Sequence, residues 1–395
     1  MAAPFISGMG AISSPGVTTA ESLTSFRAAR SRPGRLSLFE SALDHPVFEV
    51  SDFVAAHPYA DGVRTQELAS HAVREALADA ALDPGLLARA RVGVCLGTTV
   101  ASQLNDLEFY RSFKTTGTAP MAPVMRYLKG NLAEAVAADI GIQAITATVT
   151  NACSSGADAI ALGAQWIEAG LCDIVLAGGA DELNRVPLCG FHALGLSSAL
   201  PCMPFDSRRS GLNLGEGAGI VVLESPAHAR SRGHKSGLAL YGHGTACDAH
   251  HLTAPHPGGR GLLAALGRAL DVAGLRPGDI SFVNAHGTGT QDNDLVEGQA
   301  LAAAFGPSLR VLSTKGYTGH TLGAAGGLEA VFTGLALREG WLPPSIGFGE
   351  QDERIPITPL REHTIIHGRF AISTSLAFGG NNTALLIGLT PGGNS

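Results

Sequence analysis

The chain has 395 residues, of which 45% are hydrophobic, and its formal net charge is −7. The acidic balance excludes a general nucleic-acid binder, which would present a basic surface. No apolar run approaches the roughly 18 residues of a membrane-spanning helix, and the first basic residue, Arg27, comes too late for the basic start of a signal peptide. We therefore expect a soluble, cytoplasmic protein.

Short runs rich in Val and Ile alternate with Ala- and Leu-rich segments along the chain. In chain order, the runs at 92–96, 145–150, 174–177, 219–223, 280–283 and 370–374 predict strands, and 157–169 predicts a helix with one apolar face. This alternation is typical of an α/β protein with a largely buried sheet. No linker divides the chain, and six cysteines without paired spacing indicate reduced thiols.

Two glycines, Gly156 and Gly326, each open an Ala- and Leu-rich segment. Both segments end at a glycine after the same interval, at Gly170 and Gly340. The repeat hints at a duplicated strand-loop-helix unit, although chance could produce it in a chain so rich in Ala and Gly.

Cys153 lies in the segment Asn151-Ala-Cys-Ser-Ser-Gly156, between a predicted strand and a predicted helix. The positive end of a helix lowers the pKa of a nearby thiol, so we expect a thiolate nucleophile. An isolated buried cysteine is more often structural. Histidines elsewhere in the sequence favour the nucleophile, because a Cys paired with His is the usual form of an activated thiol.

Two further segments contribute histidines. His286 is followed by Gly-Thr-Gly-Thr, where the glycines admit a ligand to the backbone and the hydroxyls of Thr288 and Thr290 can bind an amide. Lys315 and His320 lie on a loop that runs into the next predicted helix. These segments and the Cys153 segment together form a Cys-His-His constellation.

The three segments resemble the active-site signatures of the β-ketoacyl-acyl-carrier-protein synthases, the elongating condensing enzymes of fatty acid and polyketide synthesis. Initiating condensing enzymes of the same superfamily carry Asn where this chain has His320. The resemblance runs from Phe5 to about Leu389. It implies a thiolase-like, five-layer αβαβα fold made of two duplicated halves, which we place at 1–245, with the nucleophile, and 246–395, with the histidines, the lysine and a gate loop.

The resemblance also implies roles for these residues. Cys153 would carry the acyl group, while His286 and His320 would hold the malonyl thioester carbonyl and stabilise the enolate left after decarboxylation. Lys315 would pair with Glu329 and act through this network, although a solvated loop lysine is the alternative. Decarboxylation supplies the driving force, so no metal or redox cofactor is expected.

The segment from Ser375 to Asn381 resembles the glycine-rich gate of the family. It implies a gating phenylalanine at Phe378, whose N–H would join that of the nucleophile in an oxyanion hole; a core aromatic is the alternative. Further substrate contacts and gate residues implied by the resemblance are Thr288, Thr290, Gly379, Gly380, Asp248 and His251. The stretch around His251 also crowds several histidines, but their spacing matches no zinc pattern.

Several positions depart from the family pattern. The gate has Leu376, Ala377 and Asn381 where Phe, Gly and Thr are more usual, and Ala377 has less backbone freedom than Gly. Other departures are Ser210, Leu212, Asn213 and the run 291–294. They surround the expected substrate path, so they bear on which acyl chain is extended.

The implied partner is a phosphopantetheinylated acyl carrier protein, which is acidic and would need a local basic patch. The candidates, each of which could also be ordinary solvated charge, are Arg64, Arg126, Lys129, Arg208 and Arg209. The second implied partner is another ketosynthase-like chain, in a homodimer or in a heterodimer with a chain-length subunit.

The departures favour a specialised type II polyketide or polyene pathway over housekeeping fatty acid elongation. A non-catalytic chain-length subunit is the rival from another class, but such subunits lack the nucleophilic cysteine. A thiolase would have a further C-terminal cysteine, and this chain has none after Cys247.

Overall fold

The secondary structure comes from a computed structural model, which describes residues 3–53, 63–99, 107–122, 124 and 131–391. Its strands are β1 (Phe5–Ser13), β2 (Val92–Gly97), β3 (Ile145–Val149), β4 (Ile174–Asp181), β5 (Gly217–Glu224), β6 (Leu238–Cys247), β7 (Ile280–Asn284), β8 (Val311–Leu312), β9 (Trp341–Leu342), β10 (Thr364–Ile365), β11 (Phe370–Ala377) and β12 (Asn381–Leu389).

The helices alternate with these strands. They are α1 (Thr19–Arg27), α2 (Arg64–Asp79), α3 (Pro84–Leu87), α4 (Leu107–Thr116), α5 (Leu132–Asp139), α6 (Ser155–Glu168), α7 (Arg185–Ala193), α8 (Pro226–Ser231), α9 (Arg260–Ala273), α10 (Gln291–Phe305), α11 (Lys315–Thr318) and α12 (Ala325–Glu339), with 3-10 turns at Pro277–Asp279 and Leu322–Ala324. None of the helices described here is long and apolar enough to cross a membrane.

All six strands predicted from the sequence are confirmed, as β2, β3, β4, β5, β7 and β11, and the helix at 157–169 is confirmed as α6. The sequence pattern did not single out β1, because Gly8 and Gly10 interrupt its apolar run. Those glycines are needed for packing: a Cβ at Gly8 would lie 2.1 Å from the backbone oxygen of Ala76 in α2.

The strand order shows an internal duplication. The first set runs β3-β2-β4-β5-β1 and the second runs β8-β7-β11-β12-β6, so strands in corresponding chain positions occupy corresponding places. The strand orientations also match. In the first set, β2 is parallel to β3 and β4, and β5 is antiparallel to both of its neighbours. In the second set, β7 is likewise parallel to both of its neighbours, and β12 is antiparallel to both of its own. A short antiparallel contact of β1 with β6 joins the two sets.

Helices cover both faces of each of these two sets of strands, which are called the first and second sheets below. The two helices that follow Cys153 and His320, α6 and α12, pack on each other and on strands of both sheets, so they form the central layer. The outer layers are α2 with α5 on the first set of strands and α9 on the second, with α10 packed against α9. Three apolar clusters fill the spaces between these layers. The result is the five-layer α/β arrangement expected from the resemblance.

The central helices begin in the same way. Ala152 and Leu322, each three residues before its helix, have φ values of 50° and 53°, an uncommon conformation for residues with side chains. Gly170 and Gly340 follow the helix ends with φ values of 69° and 76°, as left-handed C-terminal glycines do. These matched ends agree with the glycine repeat in the sequence.

The boundary between the halves stays a prediction. Residue 245 lies inside β6, which pairs with β12 along its length. Strand pairing therefore favours a division before Leu238, and we propose the segment between β5 and β6 as its place.

Candidate active site

Cys153 lies on a tight loop between β3 and α6. Ser155 accepts a hydrogen bond from the backbone N–H of Asn151 at 2.7 Å, and the hydroxyl of Ser154 donates to the Asn151 carbonyl at 3.0 Å. With the positive φ of Ala152, these bonds turn the chain so that Cys153 sits at the N-terminal end of the helix. The side chain is almost fully buried.

The expected thiolate at Cys153 is wrong for the resting protein. Burial raises the pKa of this thiol to about 12, although Lys315 and the backbone N–H of Phe378 act in the opposite direction. Desolvation disfavours the charged form more than Lys315 and the Phe378 N–H favour it. The thiol therefore keeps its proton until a base removes it.

His320 is placed to be that base. Its Nε2 lies 3.0 Å from the Cys153 sulfur. Burial, followed by the charge of Lys315, lowers the pKa of His320 well below its ordinary value, so the ring is neutral and can accept a proton. The pair Cys153 and His320 is thus a neutral thiol and a neutral imidazole in hydrogen-bond contact, typical of an activated nucleophile.

Lys315 fixes the tautomer of His286. Its Nζ lies 3.1 Å from Nδ1 of the ring and donates to the backbone oxygen of the same residue at 2.6 Å. An ammonium group only donates, so Nδ1 must accept and Nε2 must carry the ring hydrogen. Burial, with Lys315 and His320, lowers the pKa of His286 well below its usual range. His286 is therefore a neutral donor, and its ring lies 5.2 Å from that of His320, centroid to centroid.

Lys315 forms a buried ion pair with Glu329. Burial raises the pKa of Glu329 to about 7, and the neighbouring Lys315 acts against that rise. Both side chains are almost inaccessible, so the solvated-loop interpretation of Lys315 is wrong. The lysine connects Glu329 at the start of α12 to His286 after β7.

Two carboxylates that the sequence analysis missed hold the loop after His286. Glu297 accepts from the backbone N–H groups of His286 and Gly287, both at 2.8 Å. Asp294 accepts from the N–H of Thr288 at 3.0 Å. Both lie at the start of α10 and are buried, and burial raises their pKa values. The signal for them was the i, i+3 spacing of two acids just after the Gly-Thr-Gly-Thr run.

A cavity of about 270 Å³ connects these groups to the surface. Cys153, His286 and His320 lie on its wall, and the hydroxyls of Thr288 and Thr290, 2.9 Å apart, lie beside them. Among its other lining residues are Phe191, Ser210, Leu212, Gln291, Asp292, Asn293, Leu376, Ala377 and Phe378. Most of the positions that depart from the family pattern therefore face the same space as the nucleophile.

The gate segment is the turn between β11 and β12. Gly379 and Gly380 have φ values of 85° and 81°, which residues with side chains rarely adopt. Phe378 is partly buried, its ring lies 5.3 Å from that of Phe191, and its backbone N–H acts to lower the pKa of the Cys153 thiol. The turn thus places both a bulky ring and a hydrogen-bond donor next to the nucleophile.

The loop after β6 carries two predicted site residues, Asp248 and His251, and only Asp248 lines the cavity. Asp248 lines the cavity, but its carboxylate is occupied by the N–H groups of His256 and Gly261, at 3.0 and 2.9 Å. His251 is exposed, and its Nδ1 accepts from backbone N–H groups of its own loop. This loop contributes Thr253, Ala254 and Pro255 to the cavity wall. The structure therefore brings Asp248 to the site, whereas His251 is not among the residues that line the cavity. In the described part of the chain, no group of three metal-binding side chains gathers.

Two of the predicted carrier-docking residues are wrong. Arg64 is buried and pairs with Glu216 through two hydrogen bonds, at 2.8 and 2.6 Å. Arg209 is buried and pairs with Asp352, so neither can form a surface patch. Arg208 is exposed but pairs with Asp206, and the remaining candidates, Arg126 and Lys129, lie outside the described residues.

The duplicated sheet order, the central helices and the buried Cys-His-His-Lys group define a thiolase-like condensing enzyme. The family model for the β-ketoacyl synthase N-terminal domain matches residues 13–229, and that for the C-terminal domain matches residues 239–349. The chain belongs to the β-ketoacyl synthase family and is an acyltransferase of the ketosynthase type.

Relatives and solved structures agree with this assignment. The chain is 35% identical over 310 residues to a 3-oxoacyl-[acyl-carrier-protein] synthase 2 of Mycobacterium tuberculosis, covering 75% of this chain and 74% of that protein. It is 33% identical over 336 residues to the enzyme of the same name from Staphylococcus aureus, covering 82% and 83%. A structure described as the ishigamide ketosynthase/chain length factor superposes with a TM-score of 0.92 at 32% identity, covering 98% and 99%. The structure of a β-ketoacyl synthase from Burkholderia phymatum superposes with a TM-score of 0.89 at 30% sequence identity, covering 99% of this chain and 100% of that one.

Proposed function

We propose that the protein catalyses a decarboxylative Claisen condensation between an acyl group held on Cys153 and malonyl-acyl-carrier protein. The observation that carries this proposal is the 3.0 Å contact between the Cys153 sulfur and His320 Nε2. His286 lies on the wall of the same cavity, and Lys315 determines its tautomer. The partner would be a phosphopantetheinylated acyl carrier protein, whose arm enters along Thr288 and Thr290.

In the first half-reaction, the acyl group moves from the carrier to the enzyme. His320 takes the thiol proton as the Cys153 sulfur attacks the thioester carbonyl. The N–H of Phe378, which favours negative charge at Cys153, would stabilise the oxyanion of the tetrahedral intermediate. The carrier thiolate then leaves with the proton from His320, and the acyl-Cys153 thioester remains.

In the second half-reaction, malonyl-carrier replaces the first carrier. Once Cys153 is acylated and no longer donates to His320, the ring hydrogen of His320 moves from Nδ1 to Nε2. The Nε2–H groups of His286 and His320 then bind the malonyl thioester oxygen, so the enolate that forms on loss of carbon dioxide is stabilised. The enolate carbon attacks the acyl-Cys153 carbonyl, a carbon–carbon bond forms, and the Cys153 thiolate leaves and takes a proton from solvent. The product is a β-ketoacyl-carrier protein that is two carbons longer.

Intact-mass analysis of the protein after incubation with acyl-carrier tests the first step. Cys153 should gain the mass of one acyl group, and Cys153→Ala should gain none while still releasing carbon dioxide from malonyl-carrier, because only acyl transfer needs the thiol. Cys95→Ala, at a buried cysteine in β2 remote from the cavity, is the control. Condensation by Cys153→Ala at the wild-type rate would contradict the mechanism.

We propose a specialised type II polyketide or polyene pathway for this activity. It is supported by the departures at Leu376, Ala377 and Asn381 around the gate, and by the likeness to proteins described as a ketosynthase/chain length factor and as a ketosynthase in complex with its chain length factor from Xenorhabdus doucetiae. Housekeeping fatty acid elongation is the alternative, supported by the names of the curated relatives.

The acyl group accepted by Cys153 separates these pathways. A panel of carriers loaded with saturated, β-keto and polyunsaturated chains would be offered, and the trapped acyl group identified by mass. Preference for unsaturated or β-keto chains supports the specialised pathway, whereas preference for saturated chains supports the alternative. The solution mass of the protein alone and with a co-expressed chain-length subunit distinguishes a homodimer from a heterodimer.

A further inference from the structure

Two asparagines connect the gate hairpin to the nucleophile loop. Nδ2 of Asn381 donates to Oδ1 of Asn151 at 2.6 Å. Asn151 lies two residues before Cys153, and Asn381 lies three residues after Phe378. Neither amide has a part in the reaction steps proposed above.

Asp158 in the first turn of α6 fixes the direction of both amides. Nδ2 of Asn151 donates to the Asp158 carboxylate at 2.6 Å. A carboxylate only accepts, so Asn151 must turn its NH2 group to Asp158 and its oxygen to Asn381. Asn381 can therefore bind Asn151 only by presenting its own NH2 group. The hydroxyl of Thr383 also donates to Asp158, and the single hydrogen of the Ser154 hydroxyl is shared between Asp158 and the Asn151 carbonyl.

The alternation of side chains along β12 places Asn381 and Thr383 on the side of the strand that faces the nucleophile loop and α6. Successive side chains of a strand point to opposite faces, so Asn381 and Thr383 share the face toward α6. Asn382 faces the other way, where its Nδ2 donates to Gly380. The nucleophile loop belongs to the first duplicated half and β12 to the second, so the asparagine pair links the halves beside the groups that must act together.

We propose that the Asn151–Asn381 contact is a latch that holds the gate hairpin closed over Cys153, with Asn381 as a positioning residue. The inference rests on the proposed condensing activity. Because Asn381 is the first residue of β12, a bond at its side chain limits how far Phe378 and its N–H can move from the sulfur. A neutral hydrogen bond is weak enough to break in every cycle, and the gate must open to admit each carrier-bound chain.

Removing the latch should affect chemistry more than carrier binding. We expect Asn381→Ala to lower the maximal rate of Cys153 acylation about 3- to 10-fold, the range that one neutral hydrogen bond provides, with the KM for acyl-carrier little changed. The acyl-enzyme should also hydrolyse faster by a similar factor, since a loosened gate admits water. Amide hydrogen exchange of the peptide 377–383 should rise, a readout that requires no substrate.

Two further variants distinguish a latch from general loosening. Asn381→Asp replaces the donor by an acceptor of nearly the same shape, so two oxygens would face each other. If the Asn151 amide turned to avoid this, its oxygen would lie against the Asp158 carboxylate instead. We therefore expect a larger loss than in Asn381→Ala. Asn151→Ala should resemble Asn381→Ala, and the double variant should lose no more than either single one.

Thr245→Ala is the control, because this exposed residue pairs with Thr383 from the neighbouring strand β6 and should behave as wild type. Wild-type acylation, hydrolysis and hydrogen exchange in both Asn381→Ala and Asn381→Asp would overturn the latch, as would single-variant losses that multiply in the double variant. If wild-type protein gained no acyl group at Cys153, the proposed function would fail instead, and hydrogen exchange would still decide on the latch.

Discussion

At the scale of single residues, burial determines the protonation of the site. Desolvation keeps the Cys153 thiol protonated and both histidines neutral, so the resting site holds its positive charge on Lys315. A neutral thiol beside a neutral imidazole delays charge formation until a thioester is bound. The neutral His286 ring can later donate to an enolate oxygen, and so can His320 once its ring hydrogen lies on Nε2.

Substitution of the histidines should separate the two half-reactions. We expect His286→Ala to lose on the order of 10²-fold or more in condensation rate, because it removes one donor to the enolate, while acylation of Cys153 continues. His320→Ala should lose condensation to the same extent and also acylate slowly, because the proton acceptor of the thiol is gone. Acylation is measured by the intact mass of the protein, and condensation is measured by the amount of β-ketoacyl-carrier product. The exposed His367→Ala is the control, and wild-type condensation in both site variants would rule out these roles.

The buried histidines should also make stability depend on pH. Their folded pKa values lie below the unfolded value of about 6.5, so the unfolded chain binds more protons as the pH falls. Stability is therefore fully present above about pH 6.5 and is lost below it, by up to about 1.4 kcal/mol per pH unit for each histidine. Urea unfolding between pH 7.5 and 5.5 measures this loss. It should be smaller in His320→Asn, and an identical pH dependence would contradict the burial of a neutral ring.

At the scale of elements, tight turns and buried ion pairs position these residues. Cys153 and the gate both depend on turns with positive φ, at Ala152 and at Gly379 and Gly380. Arg64 at the start of α2 ties that helix to Glu216 before β5. An arginine that looked like a surface charge in the sequence is therefore part of the support for the first sheet.

Loss of the Arg64 pair should destabilise the protein without altering carrier binding. Arg64→Ala leaves Glu216 as a buried carboxylate with no cation, for which a loss of about 3–5 kcal/mol is expected. Arg208→Ala removes an exposed charge and should leave the free energy of unfolding nearly unchanged. Urea unfolding measures both. If Arg64→Ala instead kept its stability but raised the KM for the carrier in a salt-dependent manner, Arg64 would be a docking residue after all.

The gate turn should control which acyl chains enter. Ala377→Gly adds backbone freedom beside Phe378, so we expect acceptance of a wider range of chain lengths. Phe378→Ala removes the ring that lies against Phe191 and should impair ordered loading, while Phe378→Leu keeps an apolar group and should retain more of it. Loading rates across short and long acyl-carriers provide the comparison. Unchanged selectivity in both Ala377→Gly and Phe378→Ala would leave Phe378 as a core residue only.

At the scale of the whole molecule, the site exists only where the two halves meet. Cys153 comes from the first half, whereas His286, His320, Lys315 and the gate come from the second. The two central helices, α6 and α12, approach each other very closely. A Cβ at Gly156 in α6 would lie 2.8 Å from the backbone nitrogen of Gly327 in α12. Close packing of the halves is thus a condition for the 3.0 Å contact between Cys153 and His320.

Adding one methyl group between the halves should test this dependence. Gly156→Ala overfills the contact, so we expect a loss of about 1–3 kcal/mol and a larger relative loss of acylation. Gly267→Ala, in α9, meets no atom within 4 Å and should stabilise the protein by roughly 0.5–1 kcal/mol, since Ala is the better helix former. Unfolding free energies and acylation rates are compared. Normal acylation in a folded Gly156→Ala protein would show that the site tolerates displacement of the halves.

The sequence by itself indicated an α/β fold, the six strands named above and the Cys153, His286, Lys315 and His320 constellation, and it gave only a hint of the duplication. Apolar periodicity and short motifs carry these features, because they depend on local chain geometry. Only the tertiary structure decided the protonation of Cys153, the burial of Arg64 and Arg209, the part taken by Glu297 and the link between Asn151 and Asn381. Each of these depends on desolvation or on a hydrogen bond between residues distant in the chain, and neither leaves a pattern in neighbouring letters.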